Sequence, residues 1–297
     1  MDPTVQSLNQ LSDVSDTGLL TLFCRAWVSA HRPDVLVDPE AQALVARLRP
    51  VLADSNRRLA RTLAHDRIDP GLALYVGARA ARCDGYMREF IDRYPTGQVV
   101  NLACGLDTRF HRVALGSKGT RFEVDLEPVM ALRDLLLGSP DGVRVVSSSV
   151  LNQGWMESLE SDRPTLIIAE GLLMYLNTSE MRQLILSILH RLPGAEWVSD
   201  VVHRRWVRSP LSWLTSVNLH LRWGFGKEAR FQSGLGSSKE MEAWNDELEF
   251  LGDWSFFDEP PSPLGWIRGF RRIRTLRSAL WIIHYRLGCR AEGQGAV

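Results

Sequence analysis

No stretch of this 297-residue chain stays apolar for the roughly 18 residues that a membrane-spanning helix requires, so no membrane span is expected. Neither sign of charge is in excess. Lys plus Arg and Asp plus Glu both number 35, and a formal net charge of zero does not point to a nucleic-acid partner. Cysteine is scarce. Cys24, Cys83, Cys104 and Cys289 lie far apart with no CxxC pair. That spacing excludes a recognisable zinc site or disulfide framework, so no metal is expected, and it suits a reducing cytoplasm. The opening MDPTVQSLNQLSD lacks a basic segment followed by an apolar one, so no signal peptide is expected. Internal repeats and low-complexity tracts are also missing. The 45 % hydrophobic content is ordinary for a packed globular protein of one large or two small domains. Tryptophan is the exception to this plainness: six of the ten fall between residues 197 and 254, which suggests a broad aromatic surface there.

The stretch that organises the chain is QVVNLACGLDTRFHRVALGSKGTRFEVD, residues 98–125. Its apolar opening, 99–103, reads as a buried strand. The chain then breaks at Cys104-Gly105, resumes as a helix from Thr108, and forms a second strand over 121–124 that ends on Asp125. Strand, small-residue turn, helix, strand and acid make the opening unit of a nucleotide-binding α/β sheet. The turn lets backbone N–H groups approach a ligand, and an acid 20 residues past Gly105 can accept hydrogen bonds from a ribose diol. One glycine stands where a pyrophosphate cradle uses three, so a nucleoside without phosphates, such as S-adenosylmethionine, fits better than a dinucleotide.

About 95 residues of helix precede this unit. Asp16 or Thr17 is placed to cap a helix through LLTLFCRAWVSA, whose Arg25, inside an apolar helix, reads equally as a snorkelling surface residue or as a functional one. Asp38-Pro39 is an N-cap and N1 pair for a helix over 41–48, and 54–67 and 71–93 read as further helices. Beyond Asp125 the pattern predicts a helix over 128–137, a strand over 143–147 and a helical turn over 156–160. A wholly apolar strand over 165–169 then runs into Glu170-Gly171. A helix over 179–192 and a strand over 196–202 continue the alternation. Residues 203–237, rich in Trp and Arg, break it and read as a helical insertion over the site. A helix over 239–251, a strand over 254–258 and a last element over 279–287, a strand by its alternation with a helix as the alternative, complete the expectation.

At VVNLACGLDTRFHRV, EVDL, SSSVLNQGW and PTLIIAEGLLMYL the chain resembles the leucine carboxyl methyltransferase family. It is most similar to the bacterial branch that methylates polyketides and other secondary metabolites. TGLLTLFCRAW and RPDVLVDPEA extend the likeness over nearly the whole chain. The resemblance implies a class I S-adenosylmethionine-dependent methyltransferase: a Rossmann-like, mostly parallel seven-stranded sheet with an N-terminal helical cap (1–95) and a donor-binding core (96–297). It implies S-adenosylmethionine as methyl donor and an oxygen of a small molecule, often a carboxylate, as acceptor. By the same resemblance Ala103, Cys104 and Gly105 meet the methionine part of the donor. Asp125 and Leu126 take its ribose side. Ser149 and Val150 read the adenine edge, Arg25 and Arg79 hold its carboxylate, and Glu170, with Gly171 beside it, faces its ammonium. Ser149 and Asn152 stand where many relatives carry Asp.

Several residues keep two readings. Asp107 and Arg109 suit a local N-cap and ion pair at a helix start. Tyr175 serves as core filler or lines the acceptor pocket. His203 is a bystander past a strand or, for a hydroxyl acceptor, the one nameable base. The arginines from 268 to 277 read as a solvated face, with a site for an acidic partner as the second reading. A carboxylate acceptor is ionised near neutral pH and needs no base, which matches a chain with no evident His/Asp pair. Three rival functions remain: methylation of a protein C-terminal carboxylate, a nicotinamide dehydrogenase, and a non-catalytic protein that keeps the donor fold.

Overall fold

Every residue of β1 (Gln98–Leu102), β4 (Thr165–Ala169) and β5 (Ala195–Val202) is buried. Strands apolar on both faces belong inside a parallel sheet covered on both sides, and there the computed structural model of the chain places them. The structure describes residues 13–55, 57–113, 119–138, 140–208, 231–261, 264–273, 277 and 280–288. With β2 (Thr120–Asp125), β3 (Val143–Ser147), β6 (Leu248–Ser255) and β7 (Leu280–Leu287), the strands form one seven-stranded sheet in the order β3-β2-β1-β4-β5-β7-β6. β1 to β5 are parallel, and β7 runs antiparallel between β5 and β6. From the β1/β4 pair the chain proceeds outward in opposite directions. The ends of those two strands therefore flank the crevice where open α/β sheets bind ligands.

Alternation along the strands separates two cores. Val100, Phe122, Ile167, Trp197 and Ile283 point to one face, beneath the helix α7 (Thr178–Arg191) described below. Val99, Leu166, Ile168, Val198 and Ile282 point to the other and pack on the helix α4 (Pro70–Arg93). This period also aims the polar residues. Asn101, Glu170 and Asp200 continue the rows of Val99, Ile168 and Val198, so all three emerge on the α4 side.

Among the described residues four helices precede the sheet: α1 (Asp13–His31), α2 (Pro39–Ala53), α3 (Arg58–Ala64) and α4. Asp38 caps α2 as its sequence predicts, accepting the Ala41 N–H at 3.0 Å, and Asp69 caps α4 from the Leu72 N–H at 2.9 Å. α1 begins at Asp13, a few residues before the predicted cap. A four-residue helix α5 (Arg109–Arg112) follows β1, then α6 (Glu127–Leu136) follows β2, and α7 is opened by an Asn177/Glu180 capping box.

The sequence reading fails between β5 and β7. The helix expected over 239–251 is a single 3-10 turn, Glu240–Trp244, and the chain enters β6 at Leu248. Local helix propensity yields there to pairing with β7, Leu248 opposite Leu287 and Phe250 opposite Tyr285. The strand expected over 254–258 therefore lies earlier and ends at Ser255, where the Asp258 carboxylate accepts the Ser255 N–H. The helical turn expected over 156–160 is a 3-10 turn at Gln153–Ser158. Of the 203–237 insertion, the short helix α8 (Arg204–Arg208) and residues 231–237 are described. Trp213, Trp223 and Arg222 lie outside the described residues, as do Arg274 and Cys289.

α1 and α4 cross where Gly77 meets Val28. A Cβ at Gly77 would sit 2.8 Å and 2.9 Å from the two Val28 methyls. Gly77→Ala is therefore expected to destabilise the fold by about 1–3 kcal/mol through overpacking. Urea unfolding should show a smaller penalty for the same change in a Val28→Ala background. Equal penalties in both backgrounds would place the cost elsewhere.

Candidate active site

At the end of β1 the backbone turns left-handed twice, at Ala103 (φ +55°) and Gly105 (φ +50°). Glycine takes this conformation without strain, and a Cβ at Gly105 would meet nothing within 4 Å, so its backbone faces open space. The Cys104 N–H donates to the Val124 carbonyl (3.2 Å), and the Gly105 N–H donates to the Asp125 carboxylate (2.7 Å). The other oxygen of that carboxylate accepts the Leu126 N–H at 2.7 Å. Burial pushes the Asp125 carboxyl above its usual range, and these two amides hold it back. The Cys104 thiol is pushed well up by burial, so it is no nucleophile.

The turn opens on a cavity of about 270 Å³. The β1 turn contributes Ala103, Cys104 and Gly105, and the end of β2 contributes Asp125 and Leu126. Beyond β4 stand Glu170, Gly171 and Tyr175, and the helices supply Arg25 and Arg79. Ten of the residues singled out in sequence thus share one wall. Ser149, Val150 and His203 are not on it. Ser149 is exposed, and its Oγ accepts the Leu151 N–H at 3.3 Å. Val150 offers its carbonyl to the Trp155 indole at 3.2 Å. The His203 Nδ1 accepts the Arg205 N–H at 3.1 Å, and its ring lies 6.1 Å from that of Trp281.

Arg25 does not snorkel to the surface. It is 3 % exposed, with Nε on Asp38 (3.2 Å) and Nη2 on the Leu106 carbonyl (2.7 Å). Arg109 exceeds the local pairing expected of it. It keeps the Asp107 contact (2.9 Å) but is fully buried and also reaches Asp84 (2.9 Å), Asn101 (3.2 Å) and Glu170 (2.5 Å). Arg79 takes the second Glu170 oxygen (3.0 Å) and Asp200 (2.6 Å). Burial opposes ionisation of Glu170, but the two guanidiniums outweigh it and hold its carboxyl below the usual range. Asp107 is likewise held down, against burial, by Arg109 and Arg112.

Asp200, Asn101 and Thr17 were not singled out for the site, Thr17 being read only as a helix cap. Asp200 had a signal: it is an acid in the middle of a strand whose eight residues are all buried. Its other oxygen accepts the Gly171 N–H at 2.6 Å, so one carboxylate sets both Arg79 and the turn after β4. Thr17 and Thr21 of α1 line the cavity, and Tyr175 stands beside Thr17 with its ring 5.8 Å from Phe231. Burial raises the Tyr175 phenol.

Comparison with known proteins agrees with this geometry. The description of the leucine carboxyl methyltransferase family matches residues 18–189, more than half of the chain, and the chain belongs to that family. The tetracenomycin polyketide synthesis O-methyltransferase TcmP of Streptomyces glaucescens is 29 % identical over 93 % of this chain and 97 % of its own. The S-adenosyl-L-methionine-dependent methyltransferase dpfgK of Gibberella zeae is 29 % identical over 61 % of each chain. In fold, a DUF574-family protein from Streptomyces avermitilis superposes with a TM-score of 0.53 at 16 % identity, covering 81 % of this chain and 96 % of that one. The protein is an S-adenosylmethionine-dependent methyltransferase with the class I sheet. The wall suits that donor. Open backbone at Gly105, a carboxylate at the end of β2, the half-exposed Leu126 beside it and a paired arginine–glutamate set match a nucleoside joined to an amino acid. Among the described residues no helix is long and apolar enough to cross a membrane, and no group of His, Cys, Asp or Glu is arranged to hold a metal ion.

Asp200→Ala would leave a buried guanidinium and an amide without their partner, and is expected to cost about 3–5 kcal/mol of stability. Asp200→Asn keeps the shape and one acceptor, so it should fold, with donor KM raised more than kcat is lowered. Unchanged donor KM in a folded Asn variant would remove Asp200 from the site.

Proposed function

We propose that the protein transfers the methyl group of S-adenosylmethionine to a carboxylate oxygen of a small, lipophilic metabolite and so makes a methyl ester. The observation that carries this reading is the absence of a base among the described residues of the cavity wall. No histidine is among them, burial raises the Tyr175 phenol, and Glu170 and Asp107 are held as carboxylates by arginines and make poor proton acceptors, while Asp125, raised by burial, has both oxygens committed to the Gly105 and Leu126 amides. An acceptor that is already ionised needs none. The likeness to TcmP, named as a polyketide O-methyltransferase, supports an oxygen acceptor on a compound of that kind.

The donor supplies an electrophilic methyl on a sulfonium, and the chain's work is to position and to exclude water. Asp125 accepts the ribose hydroxyls and Leu126 packs beside them. Ser149 and Val150 complete the adenine end beyond the described wall. Glu170 faces the ammonium. Arg25 serves the donor carboxylate, where a charge-assisted contact is strong. Arg79 commits Nε and Nη1 to Glu170 and Asp200, so its part is chiefly to hold those acids. Residues 1–95 act as the cap and 96–297 as the donor-binding core. The presence of Thr17, Thr21 and Arg25 on the cavity wall supports that division.

Asp125→Ala is expected to weaken donor binding by about 1–3 kcal/mol through lost hydrogen bonds. Calorimetry on the folded variant checks it, and unchanged affinity would reassign the ribose contact.

The acceptor chemistry has its own test. With a carboxylate acceptor the rate should stay nearly flat from about pH 6 to 9, since a free carboxylate and a Glu170 held below its usual range both remain ionised. His203→Ala should lower the rate less than about tenfold, below the usual contribution of a base. The product should be cleaved by alkali. An alkali-stable methyl ether, formed at a rate that rises through a single pKa and collapses in His203→Ala, would mean a hydroxyl acceptor.

A further inference from the structure

β6 and β5 both pair antiparallel with β7, so they run in the same direction. The chain leaving Ser255 therefore emerges at the C-terminal edge of the sheet, the edge that carries the donor cavity. A row of aromatic rings leads outward from there. Tyr75, whose ring lies 5.8 Å from the Arg79 guanidinium carbon, meets Phe256 edge-on at 5.9 Å. Phe256 meets Phe257 at 6.3 Å, Phe257 meets Phe270 at 6.3 Å, and Phe270 meets Trp266 at 6.0 Å. The row ends on a 3-10 turn, Leu264–Arg272, anchored by the buried Ile267.

The outer side of that turn is apolar and cationic at once. Trp266 is 71 % exposed, Ile273 49 % and Phe270 37 %. Arg268, Arg271 and Arg272 are exposed between them, and no ion pair ties any of the three to a carboxylate among the described residues. The neighbouring acids Asp253 and Asp258 are held by Arg277 instead, at 2.8 Å each. Arginines on a purely solvated face do not explain an indole left in water beside them.

We propose that this turn docks the protein on an anionic lipid surface, with the mouth of the active site facing the bilayer. A tryptophan with arginines around it suits the lipid headgroup layer, where the ring enters the boundary and the guanidiniums meet phosphate. The turn presents Trp266, Phe270 and Ile273 outward with the arginines between them, an arrangement that suits a deformable anionic lipid surface. Because Phe256 and Tyr75 connect it to Arg79, the docked turn lies beside the route by which a membrane-dissolved acceptor would arrive. Docking itself does not depend on the identity of that acceptor.

Sedimentation of the full chain with vesicles tests this. Vesicles containing phosphatidylglycerol should carry the protein down, and vesicles of phosphatidylcholine alone should do so about tenfold less well, with the difference shrinking as salt is raised. Trp266→Ala alone, and the triple change Arg268→Gln, Arg271→Gln, Arg272→Gln, should each weaken capture by about tenfold or more. Circular dichroism and donor binding, both expected unchanged, show that the variants are folded. No capture by phosphatidylglycerol vesicles would overturn the proposal, as would capture that both variants retain. Binding to an acidic polypeptide such as polyglutamate that is lost in the arginine variant but kept in Trp266→Ala, with vesicles ignored, would make the turn a protein-docking surface and also overturn it. Since these readouts involve no methyl transfer, they stand apart from the ester assignment.

Discussion

The carboxylate of Glu170, held between Arg79 and Arg109, is the contact on which the rest of the site depends. A buried charge is tolerable only where its partners are fixed, and removing one partner strands the others. Here the pairing does not stop at three residues. Arg109 passes to Asp84, Asp84 to Arg112, and Arg112 to Asp38, which also takes Arg25 and the Thr108 hydroxyl. At the other end Arg79 passes to Asp200 and so to the Gly171 amide. The chain of charges runs from α2 through α4 and α5 to the ends of β4 and β5. A helical layer joined to the sheet only by apolar contacts could settle in several positions. One joined by this network has a single register, because a shift of one residue would leave a guanidinium or a carboxylate buried alone.

That rigidity has a chemical consequence. Methyl transfer depends heavily on orientation, and on the proposed reading, with an ionised acceptor, little on proton transfer. The same ion pairs that fix the helical layer also fix the cavity wall, and they keep Glu170 and Asp107 charged and unreactive. Structural and functional demands therefore fall on the same residues. The cap also brings Thr17, Thr21 and Arg25 of α1 onto the wall, so the cavity forms only when the N-terminal helices are docked. In the opposite half the described ion pairs form smaller groups, such as Glu196 of β5 between Arg93 of α4 and His284 of β7. The strands beyond β5 are held by ladder pairing, by the Tyr285 and Phe250 contact, and by the Arg277 bridges to Asp253 and Asp258.

Much of this was legible in the order of residues. The strand–turn–helix–strand unit of 98–125, the buried strand 165–169 and the cap at Asp38 are local patterns, and local patterns carry their own periodicity and end signals. The turn at Gly105 and the acid at Asp125 were readable because a short loop forces them together, and their hydrogen bond is the result. Ten of the residues singled out for the site proved to share one wall for the same reason: each stands at the end of a strand or on a helix that the sheet order brings to one edge.

What sequence alone could not decide was set by contacts between distant segments. Helix propensity over 239–251 gave way to a β7 partner some forty residues away, because an unpaired strand edge is a larger cost than a weak local preference. From pattern alone Arg25 read equally well as a surface residue and Arg109 as a local ion pair, since a single chain position cannot reveal that Asp38 waits beside the one and Asp84 and Glu170 beside the other. Asp200 was passed over because its importance lies in what α4 lays against it. Sequence by itself determined β1 to β5, the turn at Gly105 and the family chemistry, all written in short-range spacing. The tertiary structure decided which charges were buried and with whom they were paired, because burial and pairing belong to the packed whole and not to any one segment.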